Sequence, residues 1–298
     1  MPQKWIRAEV ARLRRDNRSG ATDLTLRAIE IFRRYVRTTP VKEKAEFLQD
    51  LRELCGGLMF AQSAMSSMQN ACVEVLSTLT KHRDRDNLER LRDELEKKLS
   101  KLSRQIVLAR QRIATHFSKV LPNQGRILTI SCSSTVVGVL RELKRRGKNF
   151  EVIVMESRPM FEGRQAAREL VRARIRTTLI ADAAVGEYSK GADLAVVGAD
   201  AVFNDGTTVN KIGTFPLALC CHEARRPFYV LADSSKLNSE SARSFTTEEK
   251  KPAELLKVPV AGLSVKNIYF ELTPPKYITA IITEIGMFSP RTIRRTIK

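Results

Sequence analysis

The chain has 298 residues, 43% hydrophobic and 29% charged, enough for one large or two ordinary globular domains. With 14 Gly and 11 Pro it is neither collagen-like nor low-complexity, and no apolar run approaches the ~20 residues that span a bilayer. The formal net charge is +19, carried as 25 basic and 15 acidic residues up to residue 120 and 27 and 18 after it, so the excess is no detachable basic tail. Such a surface favours an anionic partner (nucleic acid, an acidic protein or a phosphorylated small molecule) or is simply a solvated basic surface. Aromatics are only 6% and no RRM, KH or zinc-finger signature occurs, so direct nucleic-acid binding finds no support in the motifs. The five Cys form no C-x-x-C pair and the N-terminus has no apolar signal core. The expectation is a reduced, cytoplasmic protein with no membrane span, no metal and no cofactor.

Residues 1 to about 120 read as helix. The cluster Ser19-Gly20-Ala21-Thr22-Asp23 suits a helix start, and Leu24 to Phe32 follows it. Leu88, Leu91, Leu95, Leu99, Leu102, Ile106 and Ile113 recur at three-and-four spacing with charges between them. That is one apolar face on a long helix, either a coiled-coil seam or a packed bundle helix. Trp5 and the basic residues around it are expected to dock on these helices or on a partner.

From Gly125 the pattern becomes short apolar runs separated by helical stretches. Arg126 to Ser131 reads as a buried strand, then Val136 to Arg146 as a helix stopped by Gly147. Glu151 to Met155 is the next strand and Gly163 to Arg174 the next helix; Thr177 to Asp182, Leu194 to Val197 and Phe228 to Ala232 complete the strands. The predicted fold is α/β: an N-terminal helical domain (1–120) followed by a Rossmann-like domain (121–298) whose parallel sheet is covered on both faces.

Ligands in such sheets sit at the carboxyl ends of the strands. Directly after the strands stand Cys132-Ser133-Ser134, Glu156-Ser157-Arg158-Pro159, Asp182, Gly198-Ala199-Asp200 and Asp233-Ser234-Ser235-Lys236. Strand ends are polar in any case because they leave the core. Arg158, Arg164 and Lys211, however, are cations near Gly-containing turns, which is what a phosphate needs. Cys220 and Cys221 read as core, Asp205-Gly206 as a tight turn, and the three His have no partner at useful spacing.

Glu156-Ser157-Arg158-Pro159 with Glu162-Gly163, Gly198-Ala199-Asp200, and Asn210-Lys211-Ile212-Gly213-Thr214 together resemble the translation initiation factor 2B alpha/beta/delta family. That family includes ribose-1,5-bisphosphate isomerase and methylthioribose-1-phosphate isomerase. The resemblance extends to Phe270-Glu271-Leu272-Thr273-Pro274-Pro275 and Ile282 to Gly286. It implies a cytoplasmic homodimer or higher homo-oligomer that binds a phosphorylated sugar or a nucleotide-derived metabolite. In the isomerases a Cys and an Asp convert a phosphorylated aldose to a ketose; their counterparts here are Cys132 and Asp200. Asn210 and Lys211 match pocket-lining residues, and Gly20, Ala21, Ser133, Ser134, Arg158 and Lys236 are expected to join them around the substrate.

Two Arg of the isomerases are missing. Ser19-Gly20-Ala21 stands where they carry Arg-Gly-Ala, with Arg18 displaced by one residue, and Gln62-Ser63-Ala64-Met65-Ser66 replaces Arg-Pro-Thr-Ala-Val. Gln cannot supply the charge of a bidentate Arg. Two functions therefore stay open: an aldose–ketose isomerase, or a regulatory subunit that binds a phosphorylated metabolite and other translation-factor subunits without catalysis.

Overall fold

The structure, a computed structural model, describes residues 4–16, 19–40, 43–61, 64–81 and 87–296. It divides into two compact units, 1–108 and 109–298. No helix among the described residues is long and apolar enough to cross a membrane.

The first unit is helical: α1 (Lys4–Arg15), α2 (Ala21–Thr38), α3 (Lys44–Ala61), α4 (Ser66–Lys81) and the start of α5 (Leu88–Phe117). Helix α2 begins within the Ser19–Asp23 cluster, where the Gly20 carbonyl accepts from the N–H groups of Asp23 and Leu24. Leu91, Leu95 and Leu99 of α5 are buried, as the spacing requires. Around them the Arg33 guanidinium reaches Glu96 at 2.9 Å and the Arg92 guanidinium donates to the Thr39 carbonyl at 2.7 Å. This stretch is thus a packed bundle helix, tied to α2 by charge as well as by leucine. Trp5 lies under the Arg34 guanidinium, 4.5 Å from the ring centre, so it docks on the helices of its own unit.

In the second unit the alternation of strand and helix is β1 (Gly125–Ile130), α6 (Ser134–Arg145), β2 (Phe150–Met155), α7 (Glu162–Arg172), β3 (Arg176–Ile180), α8 (Val185–Gly191) and β4 (Leu194–Val197). Then come β5 (Ala201–Val202), β6 (Thr208–Lys211), α9 (Thr214–Glu223), β7 (Phe228–Leu231), β8 (Phe270–Thr273), β9 (Ala280–Thr283) and β10 (Gly286–Phe288). The main sheet has the order β10-β9-β7-β4-β1-β2-β3 and is parallel except for β10. One face packs Ile127, Val152, Val154 and Val196 against α6, α7 and the end of α5; the other packs Leu128, Ile153, Ala195 and Val197 against the side of α8 and α9.

Two features depart from the sequence expectation. Strand β3 is not covered on both faces: it is the edge, and Arg176, Thr178 and Leu179 are exposed. A second, antiparallel sheet, β5-β6-β8, was not foreseen, nor were β9 and β10. Its strands are two to four residues long, and β6 and β8 mix polar with apolar residues, so none has the apolar run by which a strand is read. Within it Asp205 is the predicted tight turn: its carboxylate accepts from the Thr207 N–H at 2.9 Å, and Gly206 takes φ 84°.

Candidate functional site

Strand order reverses between β1 and β4. From β1 the chain winds outward through β2 to β3, then returns to β4 on the other side of β1. The residues that leave these two strands stand side by side at this switch point, the position where open α/β sheets bind ligands. After β1 the chain turns through Ser131 at φ 66° into Cys132-Ser133-Ser134. Ser133 caps α6, its Oγ accepting from the Val136 N–H at 3.3 Å. Opposite, a Cβ at Gly198 would fall 2.3 Å from that Oγ, so the β4 exit can pass only as glycine.

The small antiparallel sheet brings the ionisable residues together. The Asp200 N–H donates to the Val209 carbonyl at 2.8 Å, which sets the loop after β4 against β6. The loop after β7 is held to β5 by the Asn238 N–H donating to the Val202 carbonyl at 2.8 Å. Asp200, Lys211 and Lys236 are all buried, at 8%, 4% and 2% exposure, and Glu162 at the start of α7 is 8% exposed. Lys211 Nζ donates to Glu162 Oε1 at 2.5 Å and sits 4.5 Å from the centre of the Tyr269 ring. Burial pushes the Asp200 carboxyl up to about 6; the charges of Lys236 and Lys211 pull it back, and Glu162 adds to the rise. A buried carboxyl that titrates near neutrality between two ammonium groups can both take and give a proton, and the lysines suit an anionic ligand.

Glu271 closes the same region from β8. Its Oε1 accepts from the N–H groups of Gly213 and Phe215 at 2.6 and 2.9 Å, so the N-terminus of α9 is already occupied by a carboxylate. Asn210 donates through Nδ2 to Thr214 Oγ1 at 3.1 Å.

The remaining expected site residues stand apart from this cluster in their contacts. The Cys132 thiol is 4.0 Å from Glu169 Oε1 on α7 and packs toward the apolar face that α6 and α7 cover. Ser134 is the first residue of α6. Arg158 is exposed, with its guanidinium 4.9 Å from the Phe161 ring centre, and its N–H donates to Asp182 Oδ2 at 2.7 Å. Gly20 and Ala21 lie at the start of α2 in the first unit. Arg18, Gln62 and Ser63 lie outside the described residues.

Sequence reasoning missed Glu162, Tyr269 and Glu271 as neighbours of the site. Glu162 was read only as a family motif; its partner Lys211 is 49 residues away, and no local pattern signals such a pair. Its neighbour Gly163 shows why the turn before α7 is built as it is: a Cβ there would lie 1.8 Å from the Met155 carbonyl oxygen. Gly163→Ala is expected to destabilise the second unit by about 3 kcal/mol, the upper range for overpacking. A urea midpoint equal to wild type would contradict that.

A model of the initiation factor 2 subunit family matches residues 17–290. A Pyrococcus furiosus protein carrying the provisional name translation initiation factor eIF-2B subunit 2-like is 41% identical over 184 residues, which is 61% of this chain and 64% of that relative. Ribose 1,5-bisphosphate isomerase of Methanocaldococcus jannaschii is 30% identical over 276 residues, spanning 91% of this chain and 87% of the isomerase. The crystal structure of the Pyrococcus horikoshii OT3 translation initiation factor eIF-2B superposes with a TM-score of 0.86 at 29% identity, covering 99% of this chain and 100% of that one.

Proposed function

Because the chain belongs to the initiation factor 2 subunit family, which the match over residues 17–290 establishes, we propose that it is a sugar-phosphate aldose–ketose isomerase of the ribose-1,5-bisphosphate type. The observation that carries this reading is Asp200: a carboxyl buried at the β1/β4 switch point, raised to about 6 and facing two buried lysines. A site that only binds an anion has no use for a carboxyl held there.

Opening the ring of a 1-phosphorylated aldose breaks the C1–O4 bond and leaves a proton on O4; moving the carbonyl to C2 then carries one hydrogen from C2 to C1 and takes the proton from the C2 hydroxyl, while O1 keeps its phosphate. Asp200 gives its proton to O4 as the ring opens, and as carboxylate takes the proton of the C2 hydroxyl while the new carbonyl forms, which restores it. Either route for the carbon-bound hydrogen requires this exchange. Lys236 stabilises the carboxylate in the interval, and its ammonium with that of Lys211 favours an anionic substrate. Cys132 is the second group assigned to proton transfer, with Ser133, Ser134, Asn210 and Arg158 around the substrate. In this reading the protein acts in the cytoplasm as a homodimer or higher homo-oligomer.

The test is NMR-monitored interconversion of ribose 1,5-bisphosphate and other pentose phosphates by wild type and Cys132→Ser. Turnover by wild type and its loss in a folded Cys132→Ser variant support catalysis through Cys132. Binding without turnover on any of these sugars overturns the enzymatic reading. It would favour the second one, a regulatory subunit binding a phosphorylated metabolite and translation-factor subunits. That reading draws on the P. furiosus relative's name and on Lys211, whose charge is already engaged by Glu162.

A further inference from the structure

The outer face of α7 carries a row of arginines. Arg164, Arg168 and Arg172 are exposed and stand four residues apart, opposite the buried Ala166 and Leu170. Each step is about 6 Å along the helix. The row runs on through exposed Arg174 into Arg176 at the head of the edge strand β3. On α6, which covers the same side of the sheet, Arg141 is exposed as well. The carboxylates nearby are engaged elsewhere: Glu156 takes Arg164 at 2.7 Å, Glu142 takes Arg145 at 2.8 Å, and Glu169 accepts from Gln165 at 3.0 Å. Among the described residues Arg141, Arg168, Arg172 and Arg174 have no side-chain ion pair or hydrogen bond, and Arg176 approaches Glu151 only at 3.8 Å. An arginine on an open strand edge discourages pairing with other chains, which accounts for Arg176. It does not call for a row along the helix, where like charges one turn apart are destabilising.

Guanidinium groups are planar forks that fit phosphate oxygens in pairs. No residue of α6, α7 or β3 is aromatic, and the nearby Phe161 ring already has the guanidinium groups of Arg158 and Arg164 at 4.9 and 3.8 Å from its centre. Single-stranded nucleic acid, which is held by stacking its bases on aromatic rings, finds no platform here. Helices α6 and α7 lie side by side in one layer on the sheet, so α7 cannot enter a major groove about 8.5 Å deep. The wide, shallow minor groove of an A-form duplex, with its bordering phosphates, meets such a face. We infer that the arginine row of α7, continued by Arg174 and Arg176, is a docking surface for the phosphate backbone of double-stranded RNA, bound by shape and charge without regard to sequence. No sequence motif signals it, because only the fold brings helix face and edge strand into line. The inference is independent of the sugar-phosphate reading and uses none of the residues assigned to that site.

Fluorescence anisotropy tests it, with the full chain titrated into a labelled RNA duplex of about 16 base pairs at salt between about 50 and 200 mM. Wild type is expected to bind, with log affinity falling against log salt at a slope of about −4, close to one counterion for each arginine in contact. Arg168→Ala/Arg172→Ala is expected to weaken binding about tenfold or more at the lower salt and to reduce the slope by about 2. Both positions lie on an exposed helix face, where alanine favours the helix. Lys101→Ala/Arg104→Ala removes the same charge from exposed positions of α5 in the first unit. It is expected to stay within about twofold of wild type, since only charges near the docked duplex escape screening. No binding by wild type overturns the inference. An equal loss in the two double variants overturns it as well, because attraction would then come from net charge alone. Equal affinity for a DNA duplex or for single-stranded RNA of the same length removes the A-form duplex as the ligand. Tighter binding of poly-glutamate of matched charge overturns the inference in favour of an acidic protein.

Discussion

Replacing Asp200 by Asn is expected to lower isomerase turnover by about a hundred- to ten-thousandfold, the usual worth of a positioned acid–base group, while leaving substrate affinity within a few fold. The same change is expected to make the protein more stable, and the sign follows from the titration. Burial raises the Asp200 carboxyl from 3.8 to about 6, so the folded chain holds this proton more tightly than the unfolded one. The stability linked to that proton is complete below the unfolded value and is lost as pH rises through about 6. At about pH 8 the wild type therefore carries a buried carboxylate at a cost on the order of 1–3 kcal/mol that Asn does not incur. Urea midpoints should favour Asp200→Asn at about pH 8 and converge below about pH 4. A variant that keeps full turnover, or that is no more stable than wild type at high pH, would remove Asp200 from the role assigned to it. The opposition of activity and stability at one residue is what a functional carboxyl in a buried site predicts.

Lys211→Met is expected to produce the largest loss of stability. Nζ of Lys211 is the hydrogen-bond donor to Glu162 Oε1, stacks on Tyr269 and lowers the Asp200 carboxyl. Without it both oxygens of Glu162 are buried without a partner, and two carboxylates face each other with Lys236 as the remaining buried cation named in this cluster. Breaking a buried pair from one side costs about 3–5 kcal/mol. The loss should be greatest at high pH, where Asp200 is ionised, and shrink as acid neutralises the Asp200 carboxyl. Restoring an apolar partner in Lys211→Met/Glu162→Leu should recover much of it, because a well-packed apolar pair replaces a buried ionic one at little cost. Equal urea midpoints for wild type and Lys211→Met would mean that the pair is not buried as described.

The helices and the parallel strands were legible because each declares itself locally. The leucine spacing of α5 and the runs of β1, β2, β4 and β7 bury continuous apolar faces, and burial of that kind must be written in neighbouring residues. The polar strand tips, Asp200 and Lys236 among them, could be found by following those runs to their ends. Strands β5, β6 and β8 escaped notice since residues such as Thr208, Asn210, Lys211 and Thr273 gain their burial from distant chain, not from a hydrophobic period. Exposure of β3 was illegible for a related reason: a strand's own residues do not state that no further strand follows at the edge.

What the sequence alone determined, then, is a helical unit followed by a wound parallel sheet, and which loops would stand at its functional edge. The tertiary structure decided how those loops share charge. It seats Lys211 on Glu162, brings Lys236 to Asp200 through the loop after β7, and spends the N-terminus of α9 on Glu271. Periodicity records which residues leave water and over how long a stretch; the partner that each buried charge meets depends on three-dimensional proximity between segments tens of residues apart, and no local pattern encodes it.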